Sequence, residues 1–207
     1  MDRDSLPADL SPAEPGAPRG QRFSRTVITV TVGPLTDQVA RALVVPANQR
    51  GTLAVGLSRS VGRDAAERIE RSIMAQAPLA LGSVAPSEPG LLAGRGVEVI
   101  VHAILREMPG APTTLVTVQR TTLAMLELCE ARRWRTVTFP VFGTGIGHFP
   151  LAVDTVGEVM IETIVAYLRR VSSRLEVLTF VTRDDDEREA ILDMVDRARQ
   201  VRWQEPA

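Results

Sequence analysis

The chain of 207 residues contains no lysine, and its 24 permanently basic side chains are all arginine. That absence removes Schiff-base chemistry, a lysine general base and the lysine of a Walker phosphate loop, Gly-x-x-x-x-Gly-Lys-Ser/Thr. A P-loop NTPase is therefore excluded. Cysteine occurs once, as Cys129, and histidine twice, as His102 and His148. One thiol can form neither a disulfide framework nor a cysteine metal cluster within one chain, and two imidazoles are too few for a metal centre. No metal or cofactor is expected. With a net charge of -1, the chain lacks the broad positive field that attracts nucleic acid or a membrane surface. Long apolar runs are missing too, and the N-terminus has no hydrophobic stretch of the signal-peptide kind. The expectation is a cytoplasmic protein with no membrane partner.

What is present reads as a tail followed by a strand and helix alternation. Residues 1–25 place Pro7, Pro12, Pro15 and Pro18 among small and charged residues, with too few large apolar groups to offset ordering entropy, so they are expected to be a disordered tail. Residues 26–203 are expected to form one domain. The β-branched run from Val27 to Val32 predicts a strand stopped by Gly33 and Pro34, and a short helix is expected from Thr36 to Arg41. Ala42 to Val45 is a continuous apolar run of the sort buried on both faces of a parallel sheet. Helical spacing runs from Leu53 to Gln76 with a break near Gly62, Asp64 being the expected N-cap of the second half. A Pro/Gly/Ser-rich connection from Pro78 to Gly96 precedes a strand from Val97 to Ala103, and a loop from Met108 to Pro112 leads to a helix from Thr113 to Arg132. A strand from Thr136 to Phe142, a helix from Pro150 to Arg170, a strand from Leu175 to Val181 and a helix from Asp184 to Arg199 complete the pattern.

Two glycine-marked loops stand out: Asn48-Gln49-Arg50-Gly51-Thr52-Leu53-Ala54-Val55-Gly56, and Phe142-Gly143-Thr144-Gly145-Ile146-Gly147-His148. Each follows an apolar strand and opens a helix. Unpaired N–H groups at such junctions point outward, and glycine lets a bulky anion approach the main chain, so two facing junctions suit one diphosphate. Strands alternating with helices imply a mostly parallel sheet covered on both faces, and such sheets bind ligands outside the carboxyl ends of their strands. Gly143, Gly145 and Gly147 lack the spacing of the dinucleotide fingerprint and follow a late strand, which argues against a dehydrogenase.

The stretch Val44-Val45-Pro46-Ala47-Asn48, the helix opening Gly51-Thr52-Leu53-Ala54-Val55, the strand Ile100-Val101-His102-Ala103 and the loop Phe139-Pro140-Val141-Phe142-Gly143-Thr144-Gly145-Ile146-Gly147 together resemble a macrodomain, in order and in spacing. The likeness runs from about Val27 to the C-terminus. It implies an α/β protein, a three-layer α/β/α fold with a mostly parallel mixed central sheet, that binds ADP-ribose or a derivative, free or protein-linked. It also implies a ligand set of Leu35, Asn48, Gly51, Thr52, Val55, Gly143, Thr144, Gly145, Ile146, Gly147 and His148. Asn48 stands at the family position that contacts the distal ribose, where an amide offers both donor and acceptor to a sugar diol. Gly33-Pro34-Leu35 matches the turn that accommodates adenine, with Pro34 in place of the family's common aspartate. De-ADP-ribosylating relatives carry an aspartate in the first loop where this chain has Ala54. Another branch uses a lysine nucleophile with an aspartate in the second loop, and Gly147 stands there instead. Gly147 also replaces the aromatic ring that relatives place against the distal ribose, leaving His148 or Phe149 as substitutes.

Plainer readings stand beside these. Asn48 suits a turn in which it bonds its own backbone. His148 is either an exposed loop residue or a general base, the one catalytic candidate. His102 reads as a satisfied core group and Cys129 as a small apolar one. Arg50 is either a bidentate phosphate grip or a solvated surface residue, and Arg132, Arg133 and Arg135 suit a helix end. Three functions follow: a module that binds ADP-ribose or a related nucleotide, an ADP-ribosylated protein being a further partner; a hydrolase of ADP-ribosyl or O-acetyl-ADP-ribose linkages, with water activated by the substrate's own phosphate or by His148; and a macrodomain used only as an interaction scaffold.

Overall fold

The computed structural model describes residues 19–145 and 150–201. Along them run β1 (Arg19–Phe23), β2 (Thr26–Val32), β3 (Ala42–Asn48), α1 (Val55–Val61), α2 (Arg63–Met74), β4 (Val84–Ser87), β5 (Val99–Arg106), α3 (Leu115–Arg132), β6 (Thr136–Pro140), α4 (Val153–Arg170), β7 (Val177–Thr182) and α5 (Asp185–Gln200). The strands form one sheet in the order β1-β2-β7-β6-β3-β5-β4. Its five central strands are parallel, and β1 and β4 pair antiparallel at the two edges.

Period-two alternation along the central strands divides the core into two layers. Ala42 and Val44 of β3, with Val99, Val101, Ala103 and Leu105 of β5, face α3, α4 and α5 through Met125, Met160, Ile164, Ile191 and Val195. Leu43, Val45, Ile100 and Ile104 point the other way, to Leu57 and Val61 of α1 and Ile69 and Ile73 of α2. Strands apolar on both faces require helices on both faces, which gives the three-layer α/β/α arrangement with a mixed sheet. Phe139 and Phe180, both fully buried on neighbouring strands, meet edge to face with ring centroids 4.7 Å apart.

Helix ends follow local chemistry. Thr114 caps α3 by accepting from Thr117 N, and Asp184 caps α5 by accepting from Glu187 N, with Asp185, Asp186 and Glu187 in the first turn. The expected Asp64 cap is corrected: Gly62, at φ +86°, joins α1 to α2, and Asp64 falls within the first turn of α2. The left-handed angle at the junction needs glycine, and that shifts the boundary upstream. The helix expected from Thr36 to Arg41 is a single 3-10 turn, Leu35–Asp37. Gln38, at φ −80° and ψ 147°, ends the turn, and the chain leaves extended toward β3 with Arg41 N donating to Thr136 Oγ1 at 3.0 Å.

Both edge strands were missed in the sequence. The connection from Pro78 to Gly96 contains β4, in which Pro86 is tolerated because the strand is an edge. The tail expected over residues 1–25 ends earlier, since β1 begins at Arg19 and Phe23 is fully buried; residues 1–18 lie outside the described residues. Among the described residues no helix is long and apolar enough to cross a membrane, and no group of three or more His, Cys, Asp or Glu is placed to hold a metal ion.

Candidate functional site

β3 and β6 are neighbours in the sheet, so their carboxyl ends deliver both glycine-marked loops to one place. There they border a single cavity of about 650 Å³, a size suited to a nucleotide-like ligand. The cavity crosses the sheet in three stretches. Leu35 and Thr36 come from the turn after β2, and Val181, Arg183 and Glu187 from β7 and the start of α5; Asn48, Thr52, Leu53, Ala54, Gly143, Thr144 and Gly145 come from the two glycine-marked loops; Leu105, Arg106, Met108, Pro109 and Gly110 come from the end of β5 and the loop after it.

Six expected ligand residues thus come together: Leu35, Asn48, Thr52, Gly143, Thr144 and Gly145. Gly51 is a correction. Its N–H is bonded to Asn48 O at 3.0 Å, its φ is +73°, and a Cβ built on it would lie 2.4 Å from Ile73 Cγ2. It is a turn residue packed against α2, and it does not line the cavity. Val55 begins α1, whose N-cap Ala54 supplies no side-chain oxygen. Ile146, Gly147, His148 and Phe149 lie outside the described residues.

Asn48 combines both readings of it. It is buried at the cavity wall, its Nδ2 donates to Thr52 Oγ1 at 2.8 Å, and its Oδ1 accepts from Arg50 N at 3.0 Å. The amide therefore holds the first loop in shape, while Oδ1 keeps a second lone pair. In the second loop, Thr144 Oγ1 donates to Val141 O at 3.0 Å and Leu151 N donates to Gly143 O at 3.1 Å. Gly143 sits at φ +76° with Thr113 Cγ2 only 2.7 Å from the place of a Cβ, so packing demands it. Gly145 differs. Its backbone angle is ordinary, and among the described residues nothing lies within 4 Å of the Cβ it lacks.

The charges on the cavity wall are Arg106, Arg183 and Glu187. Glu187 accepts from Arg183 through Nε at 2.8 Å and through the backbone N at 3.0 Å. Arg106 has no ion pair among the described residues, so the wall carries one uncompensated positive charge. Arg50 is exposed and is not on the wall. Sequence reasoning missed Arg106 and Arg183, although both end parallel strands, where ligands are met.

His102 is 1% exposed on β5, and its Nε2 shares a 2.8 Å hydrogen bond with Ser87 Oγ of β4. Burial pulls its pKa from 6.5 down to about 4. The ring is neutral when folded and protonates below pH 6.5 when unfolded. Its contribution is thus complete above pH 6.5 and is lost as pH falls from 6.5 to 4. The full difference is about 3 kcal/mol. Denaturant unfolding of wild type and His102→Gln at pH 7 and pH 4.5 measures it: the wild type is expected to lose about 2 kcal/mol more than the variant, and equal losses would show an ordinary histidine. Burial likewise pushes the Cys129 thiol up to about 12, which makes it an inert core group.

A family model described as "Macro domain" matches residues 44–156, more than half of the chain. An uncharacterized protein of Aquifex aeolicus is 35% identical over 126 residues, covering 61% of this chain and 74% of that protein. An uncharacterized protein of Mycobacterium tuberculosis is 28% identical over 149 residues, covering 72% of this chain but 40% of that longer protein. Among solved structures, a variant of the Oceanobacillus iheyensis macrodomain superposes with a TM-score of 0.74 at 14% identity, over 87% of this chain and 97% of that one. The Trypanosoma brucei macrodomain in complex with ADP-ribose does so with a TM-score of 0.67 at 18% identity, over 81% of this chain and 68% of that one. At such identities the likeness is one of fold.

Proposed function

The chain belongs to the Macro domain family, and from that premise we propose that its cavity binds ADP-ribose or an ADP-ribose derivative, free or attached to protein. One observation carries the reading: both glycine-marked loops border the same cavity at the carboxyl ends of adjacent parallel strands. In this scheme the diphosphate lies between Thr52-Leu53-Ala54 and Gly143-Thr144-Gly145. Main-chain N–H groups of Thr52, Ala54 and the second loop are its donors, Leu53 N already donating to Glu70 Oε1 at 3.3 Å, and Arg106 supplies the positive field. Open space at Gly145 lets the phosphates approach. The free lone pair of Asn48 Oδ1 accepts from the distal ribose diol.

Binding needs nothing beyond what the described walls hold, whereas hydrolysis needs water activated by the substrate's own phosphate or by His148, which lies outside the described residues. Among the described residues the walls hold no imidazole, and their one carboxylate, Glu187, is engaged by Arg183. General-base catalysis needs a group free to take a proton from water.

Calorimetric titration with ADP-ribose tests the proposal, with an expected Kd in the micromolar range, roughly 8 kcal/mol. Absence of heat would leave an interaction scaffold. Turnover of a mono-ADP-ribosylated protein would replace the binder with a hydrolase, and His148 would then be the first residue to substitute. Asn48→Ala removes the ribose acceptor and loosens the first loop, so its Kd should rise about tenfold. Unchanged binding would remove Asn48 from the site.

A further inference from the structure

The end of the sheet opposite the cavity carries a charge pattern that the nucleotide reading does not use. Parallel register sets the residues just before β2, β7, β6, β3 and β5 side by side: Val27 and Thr136 both stand beside Val177, and Ala42 stands beside Val137 and Val99. Main-chain bonds tie the row together. Val27 N donates to Glu176 O at 2.8 Å, Glu176 N to Arg135 O at 2.8 Å and Glu98 N to Arg41 O at 2.8 Å. At about 4.8 Å per strand the row spans roughly 19 Å. Helices α3 and α4 end at the same level, since the short links 133–135 and 171–176 join them to β6 and β7.

Carboxylates in this row are engaged. Glu98 pairs with Arg41 at 3.0 Å, Glu176 pairs with Arg135 at 2.7 Å, and Glu130 accepts from Ser173 Oγ at 2.7 Å and from Arg174 N at 2.9 Å. Glu127, the next carboxylate back along α3, lies more than a turn before Arg132. Arg25, Arg132, Arg133, Arg170 and Arg174 are exposed, and among the described residues their side chains form no ion pair. Arg132 and Arg170 complement the negative ends of their helices, a task that needs no further cation. Arg133 follows α3 at φ +60°, in the left-handed region where glycine is the ordinary choice and other side chains are strained. Strain retained where glycine would relieve it marks a position whose side chain has a task.

We infer that this end is a nucleic-acid-binding surface, on which the five arginines hold a phosphodiester backbone without reading its bases. Guanidinium forks match phosphate oxygens, and a chain whose net charge is -1 meets a polyanion through such a local excess. Cations spread along a row of this length suit a partner that carries charge at every few ångströms, as a phosphodiester chain does. A lipid surface gains no insertion here, because none of the exposed large hydrophobic side chains lies in 24–25, 132–135 or 170–174. The six residues of β7 separate this end from the cavity by about 20 Å, so the two sites fill independently.

Fluorescence anisotropy with a labelled oligothymidylate of about 20 nucleotides tests this on wild type, R132Q/R133G/R174Q and R25Q/R170Q. Glycine at 133 relieves the backbone, and the glutamines replace exposed side chains that make no hydrogen bond among the described residues, so thermal unfolding should match wild type. At about 50 mM salt the wild type is expected to bind in the micromolar range, with log Kd rising against log salt at a slope of about 3.5, as five contacts to a single strand require. The triple variant should lose at least about tenfold and the double variant at least about fivefold, each with a shallower slope. Saturating ADP-ribose should leave wild-type binding within about twofold. Failure of the wild type to bind, a slope below about 2, or a smaller loss in either folded variant overturns the surface. Unfolding of both variants would make the arginines structural and overturn it too. Displacement by ADP-ribose would put the oligonucleotide in the cavity, and tighter binding to polyglutamate or to phosphatidylserine vesicles would assign this end to an acidic protein or a membrane.

Discussion

Gly145→Val is expected to weaken ADP-ribose binding at least about 30-fold, or 2 kcal/mol, while leaving the protein as stable as wild type. The two halves of that result have separate causes. Gly145 borders the cavity, its backbone angle is one that L-residues adopt, and among the described residues the space where a Cβ would stand is open. A Cβ at this position has no described atom within 4 Å apart from its chain neighbours, so stability should change by no more than about 0.5 kcal/mol. The same branched side chain would occupy the space through which the diphosphate approaches the main chain, and the steric loss falls on binding alone. Parallel calorimetry and thermal unfolding separate the two. Unchanged affinity in a folded variant would place the ligand elsewhere.

Gly51→Ala should do the reverse. A left-handed φ of +73° costs an alanine about 1–2 kcal/mol, and its Cβ would stand 2.4 Å from Ile73 Cγ2 and 3.0 Å from the backbone of α2. Backbone cannot yield as a flexible side-chain end can, so overpacking adds about 1–3 kcal/mol. The variant should be destabilised by roughly 2–5 kcal/mol, lowering Tm by about 10 °C for a chain of this length. Binding measured well below that Tm should fall only as far as the first loop shifts. A Tm equal to wild type would show that Gly51 is not packed as described.

These two glycines mark the limit of what the sequence disclosed. Each follows a parallel strand and precedes a helix, and a glycine reads the same whether it serves a turn, a tight contact or a ligand. Gly51 and Gly143 are required by their angles and by Ile73 and Thr113, residues distant in the chain, whereas Gly145, like Gly56 at the start of α1, leaves room. Strand β2, helices α3 and α5 and the apolar run of β3 were legible because β-branched runs, caps and helical spacing act locally. Strands β1 and β4 were not: each is an edge strand whose pairing is decided by a neighbour, and Phe23 was the one large apolar anchor of its strand. The placement of both loops at strand carboxyl ends followed from the rule for parallel sheets, but the adjacency of β3 and β6, which lie far apart in sequence, came only with the fold. The turn reading of Asn48 was legible because its amide bonds the loop that follows it, and the fold adds that the same side chain borders the cavity.

The placement of the diphosphate between the two loops is tested most directly by a crystal structure of the chain soaked with ADP-ribose. The expected density puts both phosphates within hydrogen-bond reach of the main chain at Thr52, Ala54 and 143–145. Nucleotide density elsewhere on the protein, or in the cavity without contact to either loop, would contradict it.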